Sequence, residues 1–327
     1  MRRSAVRSTL AAAAGLGLLL TGCSAQQQDA SPGGSDGIAV VAATNVYGDI
    51  AAAIGGDKVS VTSIITKTSQ DPHSYEANAQ DRLAVSKADL VITNGGGYDE
   101  FMHTLVDGSK LDSGKVIDAV EVSGLAHPED GATESAAGGA EHGEADHAHD
   151  HGAFNEHVWY SLHAMESLAD EVEARLSALE PGSAPTFEAN AGAFKSSLEG
   201  LHGKLDTLKA GADGTQVAVT EPVPLYLLED AGLVNATPEE YTSAIEEGSD
   251  VPPAVLKAAT DLVAGKSVRL LAYNSQTEGP QTEALKKAAE SAGVPVVDFN
   301  ETLPDGKTYV QWMTDNVENI SKVLESK

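Results

Sequence analysis

The chain of 327 residues has one cysteine, Cys23. It can therefore form no internal disulfide and offers no thiolate pair for metal or redox chemistry. Basic residues are scarce as well: 21 Lys and Arg stand against 49 Asp and Glu, a formal net charge of −28. Such a balance disfavours nucleic acid and an anionic membrane face as partners, and it is compatible with attracting cations or simply with solubility. HExxH, CxxC, a phosphate-binding glycine loop and a nucleophile elbow are all missing.

The one strongly apolar run is N-terminal. Arg2, Arg3 and Arg7 precede "LAAAAGLGLLL", which stops at "TGC". This reads as a secretory signal over residues 1–22, too short to be a lasting transmembrane anchor. "LTGC" resembles a bacterial lipobox, which implies lipidation at Cys23 and a place on the outer face of the cytoplasmic membrane. Residues 23–37, "CSAQQQDASPGGSDG", read as a flexible polar tether.

Beyond the tether, short apolar runs alternate with helical patterns. "IAVVAAT", "VSVTSIIT", "DLVITNG" and "KVIDAV" suit buried parallel strands. Helices are expected between them, as in "VYGDIAAAIGG", "AQDRLAVSKA" and "YDEFMHTLVDG". From about residue 121 to 156 the periodicity stops, and a disordered loop rich in Gly, Ala, Glu, Asp and His is expected. Helical patterns return at 161–180 and 186–211. A second α/β stretch follows, with strands at "TQVAVT", "VRLLAYN" and "VPVVDF" and a closing helix from "YVQWM". The predicted fold is α/β: two doubly wound lobes, 38–180 and 211–327, joined by one long backbone helix at 184–210.

In open α/β sheets, ligands sit beyond the carboxyl ends of the strands. His73 follows a strand in "SIITKTSQDPHSYEAN", and Glu221 follows one directly in "VAVTEP". Glu301 lies just past "VPVVDF", with Asp298 still inside that strand pattern, and His157 lies where order resumes before "VWY". Two histidines and two carboxylates, two from each lobe, make one candidate metal set. His142, His147, His149 and His151 crowd the loop, whereas His103, His127, His163 and His202 show no partner pattern.

"TNVYGDIAAAIGG", "DPHSYEANAQDRLAVSKADLVITNGGGYDEF", "NEHVWY", "TEPVPLYLLEDAGL", "YNSQTEGPQT" and "ETLPDGKTYVQWM" resemble the zinc/manganese solute-binding proteins of bacterial ABC importers. The resemblance covers nearly all of the chain beyond the tether, except the His-rich loop. It implies a metal in the cleft between the lobes, held by His73, His157, Glu221 and Glu301, with Asp298 as the alternative fourth ligand. The family often has proline where this chain has Glu156 and aspartate where it has Ser161, departures that touch what orients His157.

The expected function is capture of a divalent metal outside the membrane and delivery to an ABC permease, by a monomer with no catalytic residues. The histidines of the loop point to auxiliary weak binding of Zn²⁺, for which imidazole is a good ligand. The two carboxylates of the cleft set suit Mn²⁺. Zinc is the expected cargo and manganese the alternative. A surface adhesin with a structural metal, and a metallohydrolase, are the competing classes.

Overall fold

The computed structural model describes residues 37–125 and 154–326. The signal, Cys23, most of the tether and the histidines at 127, 142, 147, 149 and 151 lie outside the described residues.

The first half runs β1 (Ile38–Thr44), α1 (Asn45–Gly55), β2 (Val59–Ile65), α2 (Ala79–Ser86), β3 (Leu90–Thr93), α3 (Glu100–Ser109), β4 (Val116–Asp118) and α4 (Ala119–Ser123). Its strands form one parallel sheet in the order β2-β1-β3-β4. Two helices follow, α5 (Leu162–Leu179) and α6 (Ala184–Ala212). The second half runs β5 (Thr215–Val219), α7 (Leu225–Asp230), β6 (Leu233–Asn235), α8 (Glu239–Glu246), α9 (Pro253–Ala264), β7 (Leu271–Asn274), α10 (Pro280–Ala292), β8 (Val296–Phe299) and α11 (Tyr309–Glu325). Its sheet is again parallel, in the order β6-β5-β7-β8. Each half thus reverses its winding between its first and third strands, where crevices open at the carboxyl ends of such sheets.

Successive side chains of a strand face opposite ways. Val40 and Ala42 of β1 join a large inner core, while Val41 and Ala43 pack outward with Ile64, Val91 and Phe101. The inner core is continuous across both halves. It takes Leu90 and Ile92 from the first sheet, Val217 and Val219 from the second, and the buried faces of α5, α6 and α11. Helix α6 supplies a single stripe, Phe187, Ala191, Phe194, Leu198, Leu201 and Leu205, at the spacing of one helical face. Its 29 residues span about 43 Å at 1.5 Å per residue.

Polar ties reinforce this junction. Asn45, at the start of α1, accepts from the Leu303 amide (2.9 Å) and donates to the Leu303 carbonyl (3.0 Å). The Tyr309 amide donates to Asp49 Oδ2 (2.7 Å), and its hydroxyl donates to the Trp159 carbonyl (2.7 Å).

The structure departs from the sequence reading in two places. The span 121–156, expected to be disordered, is ordered at both of its described ends: α4 runs to Ser123, and Glu156 is buried. The Asp118 side chain starts α4 by accepting from the Glu121 amide (3.0 Å), a cap that overrides the weak periodicity of so short a helix. The second difference is β6 and α8, which the sequence reading did not assign. β6 has three residues, and α8 follows Pro238 with a mostly polar sequence.

Candidate metal centre

The loop between β2 and α2 carries His73. Asp71 accepts from the His73 amide (2.9 Å) and from Ser74 Oγ (2.8 Å), a local turn that sets the backbone before the imidazole. The far end of the loop is held by a reciprocal cap: Asn78 accepts from the Gln80 and Asp81 amides, and Asp81 accepts from the Asn78 amide (2.8 Å). Tyr75 packs on Phe101 and donates to Asp81. His73 itself is exposed.

The glycines after β3 bring Tyr98 beside it. Gly95, Gly96 and Gly97 all have positive φ, and a side chain on Gly95 would strike the Asp118 carboxylate at 2.2 Å. Asp99 closes this turn by accepting from the Asn94 (2.7 Å) and Gly95 (2.9 Å) amides. The Tyr98 ring then meets His73 edge-on at 4.9 Å, and its hydroxyl donates to Glu301 Oε2 (3.1 Å).

His157 sits just before α5, 1 % exposed, against Trp159 and Tyr98. Asn155 Oδ1 accepts from the His157 amide (3.1 Å) and lies 2.7 Å from Nδ1, while Asn155 Nδ2 donates to the Pro222 carbonyl (3.0 Å). With the amide oriented on both sides, its oxygen can only accept. Nδ1 therefore carries the proton and Nε2 keeps its lone pair. Burial, with a smaller push from His73, holds the imidazole well below its ordinary pKa, so it is neutral.

The second half brings carboxylates. Glu221 follows β5 and accepts from Thr277 Oγ1 (2.6 Å) and from Asn274 Nδ2. The same Asn274 amide donates to Glu301 Oε1 (2.7 Å). Gln276 Oε1 clamps the turn after β8 by accepting from the Glu301 (2.8 Å) and Thr302 (2.9 Å) amides. Burial raises Glu221 to about 7, and burial together with Glu221 raises Glu301 to about 8.

His73, His157, Glu221 and Glu301 line one cavity of about 290 Å³. Ligand-capable atoms of His73, His157 and Glu301 lie within 4.8 Å of one another, and Glu221 lines the same cavity outside that tightest group. Asp298, the alternative fourth residue, is exposed on β8 and does not line the cavity.

Sequence reasoning missed two acids here. Glu246, at the end of α8, lines the cavity with its Oε1 3.8 Å from His157 Nδ1. Burial raises it to about 9, and with His157 held neutral the two form no ion pair. Glu156 is 2 % exposed and raised by burial to about 7. Glu156 Oε1 and Glu246 Oε1 are buried without a hydrogen-bond partner, and both lie within reach of His157. The departure from proline at Glu156 was the available signal; Glu246 gave none. Ser161 accepts from the Ala164 amide (3.3 Å) and caps α5. His163 and His202, expected to be surface or packing residues, lie with their rings 4.2 Å apart. His103 is exposed on α3.

Buried carboxylates without a cation beside them are costly, and so are buried acids whose oxygens lack partners. A divalent ion meets both needs. Two parallel α/β lobes on a shared backbone helix, with imidazoles from one lobe and carboxylates from the other, define a two-lobe metal-type solute-binding protein. Residues 40–323 match the family model described as "Zinc-uptake complex component A periplasmic", and the chain belongs to that family. Its relatives include the manganese ABC transporter substrate-binding lipoprotein PsaA of Streptococcus pneumoniae serotype 4, 24% identical over 94% of this chain and 95% of that one. The iron ABC transporter substrate-binding lipoprotein MtsA of Streptococcus pyogenes serotype M1 is 26% identical, over 89% and 90% of the two chains. The periplasmic zinc-binding protein TroA of Treponema pallidum shares the fold, with a TM-score of 0.64 and 21% identity over 88% of this chain and 99% of that one.

Proposed function

We propose that this protein captures Zn²⁺ outside the cytoplasmic membrane and delivers it to an ABC permease, with His73, His157, Glu221 and Glu301 as the ligands. The observation that carries this reading is the convergence of His73, His157 and Glu301 within 4.8 Å at a cavity that Glu221 also lines. Two neutral imidazoles and two carboxylates would neutralise a divalent ion and fill a tetrahedral shell. A shell of four protein ligands leaves no position for a reacting water, so binding and not hydrolysis is the activity. The imidazoles of His142, His147, His149 and His151 would collect zinc weakly, and a lipid on Cys23 would hold the protein at the membrane, as the lipoprotein relatives suggest.

Manganese is the second reading, favoured by one observation: Glu156 and Glu246 enrich the cleft in oxygen donors, which suit harder ions. Metal analysis of protein purified without added metal, followed by competition between Zn²⁺ and Mn²⁺, tests both. Zinc bound at one equivalent and not displaced by excess Mn²⁺ is expected. Displacement by manganese would reverse the assignment, and no bound metal in either case would end it.

A further inference from the structure

A second cluster lies away from the cleft, on the faces that α5 and α6 turn to each other. His163 and Glu166 are one turn apart on α5, and His202 comes from α6. The two imidazole rings stand edge to face at 4.2 Å, and His202 Nε2 lies 3.5 Å from Glu166 Oε1. Ligand-capable atoms of all three residues lie within 4.8 Å of one another. His202 Nε2 is covered from solvent, yet no hydrogen bond is made to it. Asp170, Glu199 and Asp206 line the same basin and give it a negative field, offset in part by Lys195.

We propose that His163, Glu166 and His202 form a second, shallow site for a borderline divalent transition ion, with Zn²⁺ as the best fit, that clips α5 to α6. Ligands about 2.0–2.1 Å from a tetrahedral zinc are separated from each other by about 3.3 Å. The His202–Glu166 separation is already close to that edge, and rotation of the exposed His163 ring brings in the third corner. Two imidazoles and one carboxylate complete three positions and leave the fourth to water. Such a donor set selects Zn²⁺, Co²⁺ or Ni²⁺ over Mn²⁺, because imidazole is a poor ligand for manganese. The site stands independently of the cleft and of which metal the cleft carries.

The test uses the full-length protein and reads individual histidines. Carbethoxylation of histidines followed by peptide mapping is run with ZnCl₂, CoCl₂ or MnCl₂ added. Zinc and cobalt are expected to protect His163 and His202 together, at higher concentration than the exposed His73 requires, and manganese is expected to leave both reactive. In Glu166→Gln the zinc needed to protect His163 and His202 should rise by at least about tenfold, and in His202→Gln the same rise should be seen at His163. Glu301→Gln should leave their protection in place, which separates this site from the cleft. Equal modification of His163 and His202 with and without zinc would overturn the proposal. So would protection that survives Glu166→Gln and His202→Gln unchanged, or that vanishes with Glu301→Gln.

Discussion

Glu301 and Asp298 sit close in sequence at the end of one strand and have opposite environments. Glu301 is 2 % exposed, held by Tyr98 and Asn274, and faces the cavity, whereas Asp298 points to solvent. Replacing Glu301 with Gln keeps the size and the Tyr98 contact but removes the charge. Metal affinity measured by competition with a chelating dye should fall by about a hundredfold or more, while Asp298→Asn should bind as the parent does. The raised acids make a second prediction. Glu221 and Glu156 at about 7, Glu301 at about 8 and Glu246 at about 9 are all above the ordinary glutamate value of 4.5. The metal-free fold therefore holds protons that the unfolded chain has released, so it loses stability as pH rises through about 7 to 9. His157 works in the opposite sense, but only below about 6.5, where an unfolded histidine takes up a proton. The Tm of metal-free protein should decline from pH 7 to 9, and that of metal-saturated protein should hold, because the ion replaces the protons. Flat curves for both forms would mean these acids are not protonated in the empty cleft.

At the level of elements, the turn after β8 is positioned by the other lobe. Asn45 at the head of α1 holds both the amide and the carbonyl of Leu303, two residues beyond Glu301. Asn45→Ala leaves these backbone groups to water and should lower stability by about 1–3 kcal/mol in urea denaturation. It should also weaken metal binding, because the loop carrying Glu301 loses an anchor; unchanged affinity would show that Gln276 alone suffices. The same elements explain what was readable in the sequence. The strands of both sheets were legible because buried parallel strands are unbroken apolar runs, and Glu221 and Glu301 stood out by following them. β6 and α8 were not, since three residues and a polar helix between prolines carry no period, and Glu246 was hidden with α8. The pairing of His163 with His202 depends on the register of α5 against α6, which the period of either helix alone does not give.

For the whole molecule, the continuous inner core joins both sheets to α5, α6 and α11. Thermal unfolding by calorimetry should show one transition, with van't Hoff and calorimetric enthalpies equal; two resolved transitions would mean that the halves unfold separately. Attachment is a separate matter from folding. Cys23→Ser should leave metal affinity unchanged and move the protein from the membrane fraction to the soluble one, and continued sedimentation with membranes would rule out the lipid.

The Asn45–Leu303 and Tyr309–Asp49 ties close the same seam that the core fills, and opening the halves would break both. The cavity then resembles a vessel whose rim is less firmly held than its walls. Of the four residues proposed for the cleft, His73 alone is exposed, on a loop fastened at its far end by the Asn78–Asp81 cap. If His73 holds the ion as proposed, release should follow the opening of that loop. Hydrogen exchange should report it as a local opening at residues 66–78, faster without metal, against a background of slow walls.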